Sequence, residues 1–322
     1  MKIIKYMALA IIGLILFSSC EEDFNPFGEF KEKYVVNCIV RCDTTFQMLT
    51  IDKNYVSETT NPYDNHEDPA VKGALVKFWY GDSVKIFDYA EVSRADTSRY
   101  TTPFSYYYSD NFIPPEESTL EMEIILQDGT RLTSFTKVPK KVTVSKVDSD
   151  GIIPPIDKDY IRIRWTLEIT KQIYVPVLYI VYFKKENGVD VRYIKEVPEY
   201  YGIDGDNYIP VYPRASNNIG IIYEMDVIDI AMGEISAGDP DKDNYTIFAA
   251  IFEVVAADDF LSKYYASTNV SEGGFSIKVD ETDFSNIDGG FGVLGSYTKS
   301  RHAIKLTHDY IESFGYIPGL TE

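Results

Sequence analysis

Residues Leu120–Lys137 read L-E-M-E-I-I-L-Q-D-G-T-R-L-T-S-F-T-K. Apolar Leu120, Met122 and Ile124 alternate with Glu121 and Glu123, the period of a strand with one buried face. Asp128-Gly129 then supplies a turn, and Arg131–Lys137 runs back as a second strand. The stretch predicts an antiparallel hairpin. Outward from it the same grammar recurs. Ala74–Tyr80 and Val84–Tyr89 flank Gly81-Asp82-Ser83, and Tyr34–Val40 and Phe46–Ile51 flank Asp43-Thr44-Thr45. Tyr55–Asp68 is a polar loop. On the far side, strands are expected at Val142–Val147, Tyr160–Ile169 and Leu178–Lys184, and Asn187-Gly188 turns the last into Val191–Val197. Ile221–Ile230, Tyr245–Val255, Gly273–Val279 and His302–Leu306 complete the series.

One short helix is expected at Phe260–Ala266, with Asp258 or Asp259 as its N-cap. Strands every ~8–12 residues with turn residues between them predict an all-β chain of two β-sandwich domains, immunoglobulin- or fibronectin-like. Val138-Pro139-Lys140-Lys141 breaks the pattern. The expected organisation is therefore a signal segment at 1–19, an acidic tether at 20–33, and domains at 34–139 and 140–322.

The 322 residues carry 31 Lys+Arg against 50 Asp+Glu, a formal charge of −19. With 45% hydrophobic and 14% aromatic residues, the chain has ample material for a core, which excludes disorder over most of its length. The negative field, with no basic run to offset it, argues against a nucleic-acid partner.

At the N-terminus, Lys2 and Lys5 precede the uncharged apolar run Met7–Phe17 and then Ser18-Ser19-Cys20. The run is shorter than the ~20 residues a membrane-spanning helix needs, so it reads as an export signal. Small-small-Cys resembles the end of a bacterial lipoprotein signal, which implies lipidation at Cys20; an ordinary signal peptide, or an uncleaved anchor, with an incidental cysteine is the alternative. Glu21-Glu22-Asp23 follows at once and resembles the surface-export signal of Bacteroidota lipoproteins, where a plain acidic tether is the alternative. Cys38 and Cys42 lie roughly 13 Å apart along one strand, beyond the ~7 Å reach of a disulfide. Free thiols are expected.

Three further segments carry a resemblance. They are the strand Tyr34–Val40 after the anchor, Val71-Lys72-Gly73-Ala74-Leu75-Val76 followed by Asp82, and Asp258–Tyr265 followed by Phe275 and Phe284-Ser285-Asn286-Ile287-Asp288-Gly289-Gly290-Phe291-Gly292-Val293-Leu294-Gly295. Together they resemble a Bacteroidota outer-membrane lipoprotein family of unknown function, often encoded near TonB-dependent receptors. The resemblance implies location and architecture but no activity.

Gly290, Gly292 and Gly295 spell a literal G-x-G-x-x-G, yet a dinucleotide fingerprint must open a helix, and Ser296–Ser300 is a poor helix start. The glycines are expected to allow positive φ and close backbone packing where the last strand joins the sandwich, with Gly290 and Gly292 in a glycine-dense turn. Asp239-Pro240-Asp241-Lys242-Asp243-Asn244 begins like a calcium loop but lacks the glycine and glutamate that complete one. Tyr106, Tyr107 and Tyr108, and Tyr200, Tyr201 and Tyr208 with Tyr212, stand in loop-like contexts as candidate contacts for a glycan or peptide. Trp79 and Trp165 are expected in the core. The only histidines are His66, His302 and His308, and no H-E-x-x-H, C-x-x-C or nucleophile elbow is present. No catalytic residue, metal or cofactor is expected. The expected function is a surface-exposed, lipid-anchored outer-membrane binding or accessory module, its partners the membrane and a TonB-dependent receptor. The alternatives are a fimbria-like structural subunit and, less favoured, a glycan hydrolase using two carboxylates.

Overall fold

The computed structural model describes residues 31–55, 61–147, 151–166, 172–204, 207–268 and 284–319. Cys20, Glu21, Glu22, Asp23 and the strand expected at Gly273–Val279 lie outside them. The chain is mostly β. In the first half run β1 (Tyr34–Arg41), β2 (Gln47–Lys53), β3 (Leu75–Tyr80), β4 (Ser83–Val92), β5 (Phe104–Ser109), β6 (Thr119–Ile125) and β7 (Arg131–Lys137). Then come β8 (Val144–Val147), β9 (Ile152–Ile153), β10 (Tyr160–Trp165), β11 (Tyr174–Glu186), β12 (Val189–Val197), β13 (Tyr200–Asp204), β14 (Asn207–Val211) and β15 (Gly220–Glu224). Helix α1 (Met225–Glu234), β16 (Tyr245–Ala257), α2 (Asp259–Thr268), β17 (Phe291–Leu306), α3 (His308–Ser313) and β18 (Ile317–Pro318) complete the order.

The hairpin read from Leu120–Lys137 forms as β6 and β7, with Gly129 at φ 86°. Leu120, Met122 and Ile124 are buried and the two glutamates point away, as the alternation requires. Asn187 and Gly188 both take positive φ, which matches the right-handed twist of the β11–β12 pair.

A 13-stranded mixed sheet runs in the order β12-β11-β16-β17-β1-β2-β5-β4-β3-β6-β7, with β9 and β18 as side pairings. Its centre is β17. The first half of that strand pairs parallel with β1, from Val35 opposite Phe291 to Arg41 opposite Tyr297. The second half pairs antiparallel with β16. A separate three-stranded sheet, β15-β10-β8, and the β13–β14 hairpin lie outside this path.

Two hydrophobic clusters result. One gathers Val36, Leu49, Phe78, Tyr107, Leu120 and Met122, and it also takes in Ile287 and Leu294 from far along the chain. The other packs Ile161, Ile163 and Trp165 of β10 with Tyr174, Leu178 and Phe252, and α1 closes it with Val227, Ile228, Ala231 and Met232. Each large side chain buried this way contributes about 1.5–3 kcal/mol. The pattern break at Val138–Lys141 falls between clusters, Val138 belonging to the first and Val142 to the second.

Several expectations need correction. Ile221–Ile230 is not one strand: β15 ends at Glu224 and α1 follows, because the apolar run continues at helical spacing through Ala231 and Met232. With α3, three α-helices stand among the described residues where one helix was expected. Phe104–Ser109 is a strand and not a loop, its residues alternating between half-buried and buried. Trp79 is 42% exposed on the outer face of β3, whereas Trp165 is in the core. Gly292 sits within a strand rather than a turn.

Asp258 joins the two parts of the chain. Its Oδ1 caps α2 by accepting from the Leu261 N–H at 2.6 Å. Its Oδ2 accepts from the Thr136 hydroxyl of β7 and from both the N–H and the hydroxyl of Ser296 on β17. The side chain is buried, and burial raises its pKa.

Candidate binding groove

Strand β10 reads Y-I-R-I-R-W, and its period of two sends Ile161, Ile163 and Trp165 into the core. Tyr160, Arg162 and Arg164 therefore share the outer face. The antiparallel register sets Ile222 opposite Arg162 and Gly220 opposite Arg164, and Lys146 of β8 opposite Arg164 on the other side. Gly220 matters here, because a Cβ at that position would lie 3.2 Å from the Arg164 Cγ. The missing side chain leaves room for the arginine stem.

Beside this face lies a groove of about 610 Å³. Arg162, Arg164 and Arg214 line it with Glu199, Tyr200 and Tyr212, and Trp165 and Pro176 contribute at its base. Reciprocal hydrogen bonds between the Tyr174 and Ser216 backbones pin the segment that carries Arg214, the N–H of Tyr174 donating at 2.7 Å and that of Ser216 at 3.0 Å. The Glu199 N–H donates to the Val211 carbonyl at 2.8 Å, holding the base of the β13–β14 hairpin that carries Tyr200.

The electrostatics are unusual for so acidic a chain. Arg41, Arg94, Arg131 and Arg301 each hold a carboxylate. Arg162 instead lies over the Tyr160 ring at 5.4 Å, with Lys158 at the same distance from that ring. Among the described residues, no carboxylate is within ion-pair distance of Arg162 or Arg164. Three of the nine arginines gather at one groove.

Of the tyrosines singled out in the sequence, Tyr200 and Tyr212 reach this groove. Tyr201 points the other way: its hydroxyl lies 3.4 Å from Glu234, and burial pushes its pKa up to about 12. Tyr208 is 72% exposed on β14 and is not part of the lining. The first cluster divides by strand alternation. Tyr107 is a core residue whose hydroxyl donates to the Val71 carbonyl at 3.0 Å and accepts from the Ala74 N–H at 2.9 Å. Tyr106 and Tyr108 stand on the outer face, 5.8 Å apart, in a row with Phe104 and Phe46. The two tyrosine clusters therefore belong to different parts of the fold. The arginines were missed in the sequence, although the R-I-R-W alternation was there to read.

A second groove of about 700 Å³ crosses the outer face of β3, β6 and β7. Trp79 and Phe135 flank Glu121 in register across the three strands. Within it Glu123 holds Arg131 at 2.7 Å, and Lys77 at 3.4 Å.

Other candidate chemistry is accounted for structurally. Cys38 and Cys42 are free, and burial pushes both thiols up to about 12, so neither is a ready nucleophile. Asp239 accepts from the Asp241 N–H and the Tyr245 hydroxyl, ordering a turn. Among the described residues no group of three or more His, Cys, Asp or Glu side chains could hold a metal ion, and no helix is long and apolar enough to cross a membrane. The G-x-G-x-x-G segment enters β17 instead of opening a helix, so the phosphate cradle of a dinucleotide site is not built there. Comparison with known proteins finds no matching family model and no similar curated protein.

Proposed function

We propose that the chain is a lipid-anchored outer-membrane protein, exposed at the cell surface, that acts as a non-enzymatic binding module beside a TonB-dependent receptor. The observation that carries the binding role is the groove beside β10, where Arg162 and Arg164, which meet no carboxylate among the described residues, and exposed tyrosine rings converge on one open space. Such a mixture of apolar wall and few charged groups is what a ligand site needs. The two hydrophobic clusters support an architecture of two β-sandwiches sharing β17. Met1–Cys20 and the acidic triplet support the anchor and its address. Several acyl chains on Cys20 would make attachment effectively permanent, each buried CH₂ adding ~0.8 kcal/mol.

Two variants separate anchor from address. Cys20→Ser should release the protein from membranes or leave its precursor unprocessed. Replacing Glu21, Glu22 and Asp23 by alanine should leave it lipidated but shielded from protease on intact cells. A Cys20→Ser protein of normal mature mass that stays on the membrane would refute the lipid assignment. Equal protease sensitivity of triplet variant and wild type would refute the address.

The binding role is tested by cross-linking in native outer membranes. The expected product is a defined adduct with a TonB-dependent receptor. A ladder of self-linked copies would instead establish the fimbria-like subunit, and turnover of an oligosaccharide by the purified protein would establish the hydrolase.

A further inference from the structure

We propose that the groove beside β10 binds an acidic oligosaccharide, with Arg162 and Arg164 holding its carboxylate or sulfate groups. This rests on reading the groove as a binding site and adds the class of ligand.

The first argument is charge. In a chain with 50 acidic residues against 31 basic ones, an exposed guanidinium has many carboxylates to meet. Arg162 and Arg164 meet none among the described residues, and Lys146, Lys158 and Arg214 extend the same basic face. A local positive surface on a negative protein selects anions and repels the rest of its own surface. Guanidinium forks match carboxylate and sulfate oxygens two at a time, which an ammonium cannot do.

The second argument is spacing and shape. Residues two apart on one strand face are about 7 Å apart, so the pair suits successive charged groups along a polymer better than one compact anion. Tyr200 and Tyr212, both more than a third exposed, stand at the wall. Their π faces suit the weakly positive C–H face of a sugar ring, and their two-torsion side chains lose little entropy when fixed. Glu199 lies in the same lining and can accept from sugar hydroxyls. A ligand of phosphates alone would only be repelled by it. The volume, about 610 Å³, is within the ~300–1,000 Å³ usual for small-ligand sites.

Two other anionic partners fit less well. A peptide recognised by strand addition would pair with an edge of the three-stranded sheet, whereas both arginines project from its central strand. A lipid headgroup layer offers phosphates but no sugar C–H face to Tyr200 and Tyr212.

The test is calorimetric titration of the detergent-solubilised full-length protein with five probes: a galacturonate tetrasaccharide, a heparin-derived sulfated tetrasaccharide, a neutral galactose tetrasaccharide, hexaglutamate, and glycerophosphoglycerol, the soluble headgroup of an anionic phospholipid. At least one acidic tetrasaccharide should bind, roughly tenfold or more tighter than the neutral one, and more weakly as salt rises. R162Q and R164Q should each lose roughly tenfold in affinity, given the strength of hydrogen bonds to charged groups. R162K should fall between, keeping charge without the fork. R192Q, on exposed β12, should bind like wild type. Unchanged melting of the variants shows that folding is intact.

The proposal is overturned if neither acidic tetrasaccharide binds, if both arginine variants bind as wild type does, or if hexaglutamate or glycerophosphoglycerol binds as tightly as the sugars. A neutral tetrasaccharide held equally well and lost in Tyr200→Ala would also overturn it, while leaving the groove a binding site. The groove reading itself fails only if the arginine and tyrosine variants alter neither the binding of any probe nor the native cross-link.

Discussion

Gly292→Ala should lower the melting temperature of the whole chain by roughly 5 °C, from about 3 kcal/mol of lost stability. Two costs add. Gly292 sits at φ +105°, outside the conformations that side chains adopt, and forcing an L-residue into such a region costs about 1–2 kcal/mol. The second cost is contact. In the parallel register Gly292 lies opposite Val36, and a Cβ built on it would overlap the Val36 carbonyl oxygen and approach its carbonyl carbon at 2.8 Å. Backbone in the middle of a sheet cannot step aside, so overpacking of about 1–3 kcal/mol follows. Gly129→Ala is the control, because Gly129 has φ +86° but open space around it. It should show the first cost alone. Equal melting temperatures for the two variants would mean that the close approach contributes nothing. Millimolar NAD should leave wild-type melting unchanged, since a ligand bound only by the folded state must raise it by mass action. An upward shift would turn the glycine motif back into a cofactor site.

The residues that made the strands legible are also those that hid the groove. Leu120, Met122 and Ile124 announce a strand because their alternation answers to one hydrophobic face. The turns at Gly129 and Asn187-Gly188 were readable because few residues tolerate positive φ. Ile221–Ile230 misled for the opposite reason. A short apolar run carries no period of its own, and what made Met225–Glu234 helical was the face that Val227, Ile228, Ala231 and Met232 present to the second cluster. Tyr106–Tyr108 misled because tyrosine is at home in loops and strands alike, and only pairing with β2 and β4 decides the matter. The groove brings together residues from Arg162 to Ile222, across strands and a connecting segment, so no local spacing marks it. The parallel pairing of β1 with β17 joins residues some 250 positions apart and was equally invisible. Its traces were Gly292, which permits the close approach to Val36, and Gly295, whose added Cβ would lie 2.7 Å from the Leu261 Cβ of α2.

Asp258→Ala should be the other severe substitution, at about 4 kcal/mol. Removing a helix N-cap costs about 1 kcal/mol, and each buried donor left without an acceptor adds about 1–3 kcal/mol. The donors at risk are the Ser296 N–H and hydroxyl on β17 and the Thr136 hydroxyl on β7, so the loss falls where the two parts of the chain meet. Asp258→Asn isolates the charge. Its amide keeps an acceptor for Leu261 but presents hydrogens to the Ser296 and Thr136 donors, so it should also destabilise, though less. The pH dependence separates this from simple loss of packing. Burial is the largest influence on the Asp258 carboxyl and raises its folded pKa above the ordinary value, despite the hydrogen bonds that oppose it. A raised folded pKa means that the folded state takes up the proton first. The stabilising contribution of that protonation is complete below the unfolded pKa, near 3.9, and is lost as pH rises through the folded value. Wild type should therefore gain on Asp258→Asn as the pH falls from neutrality toward about 4, because the amide has no proton to take up. All other carboxylates are common to both proteins and cancel in the difference. Melting curves collected across that range should diverge toward acid. Parallel curves would show that the Asp258 carboxyl is not held in the folded protein with a raised pKa.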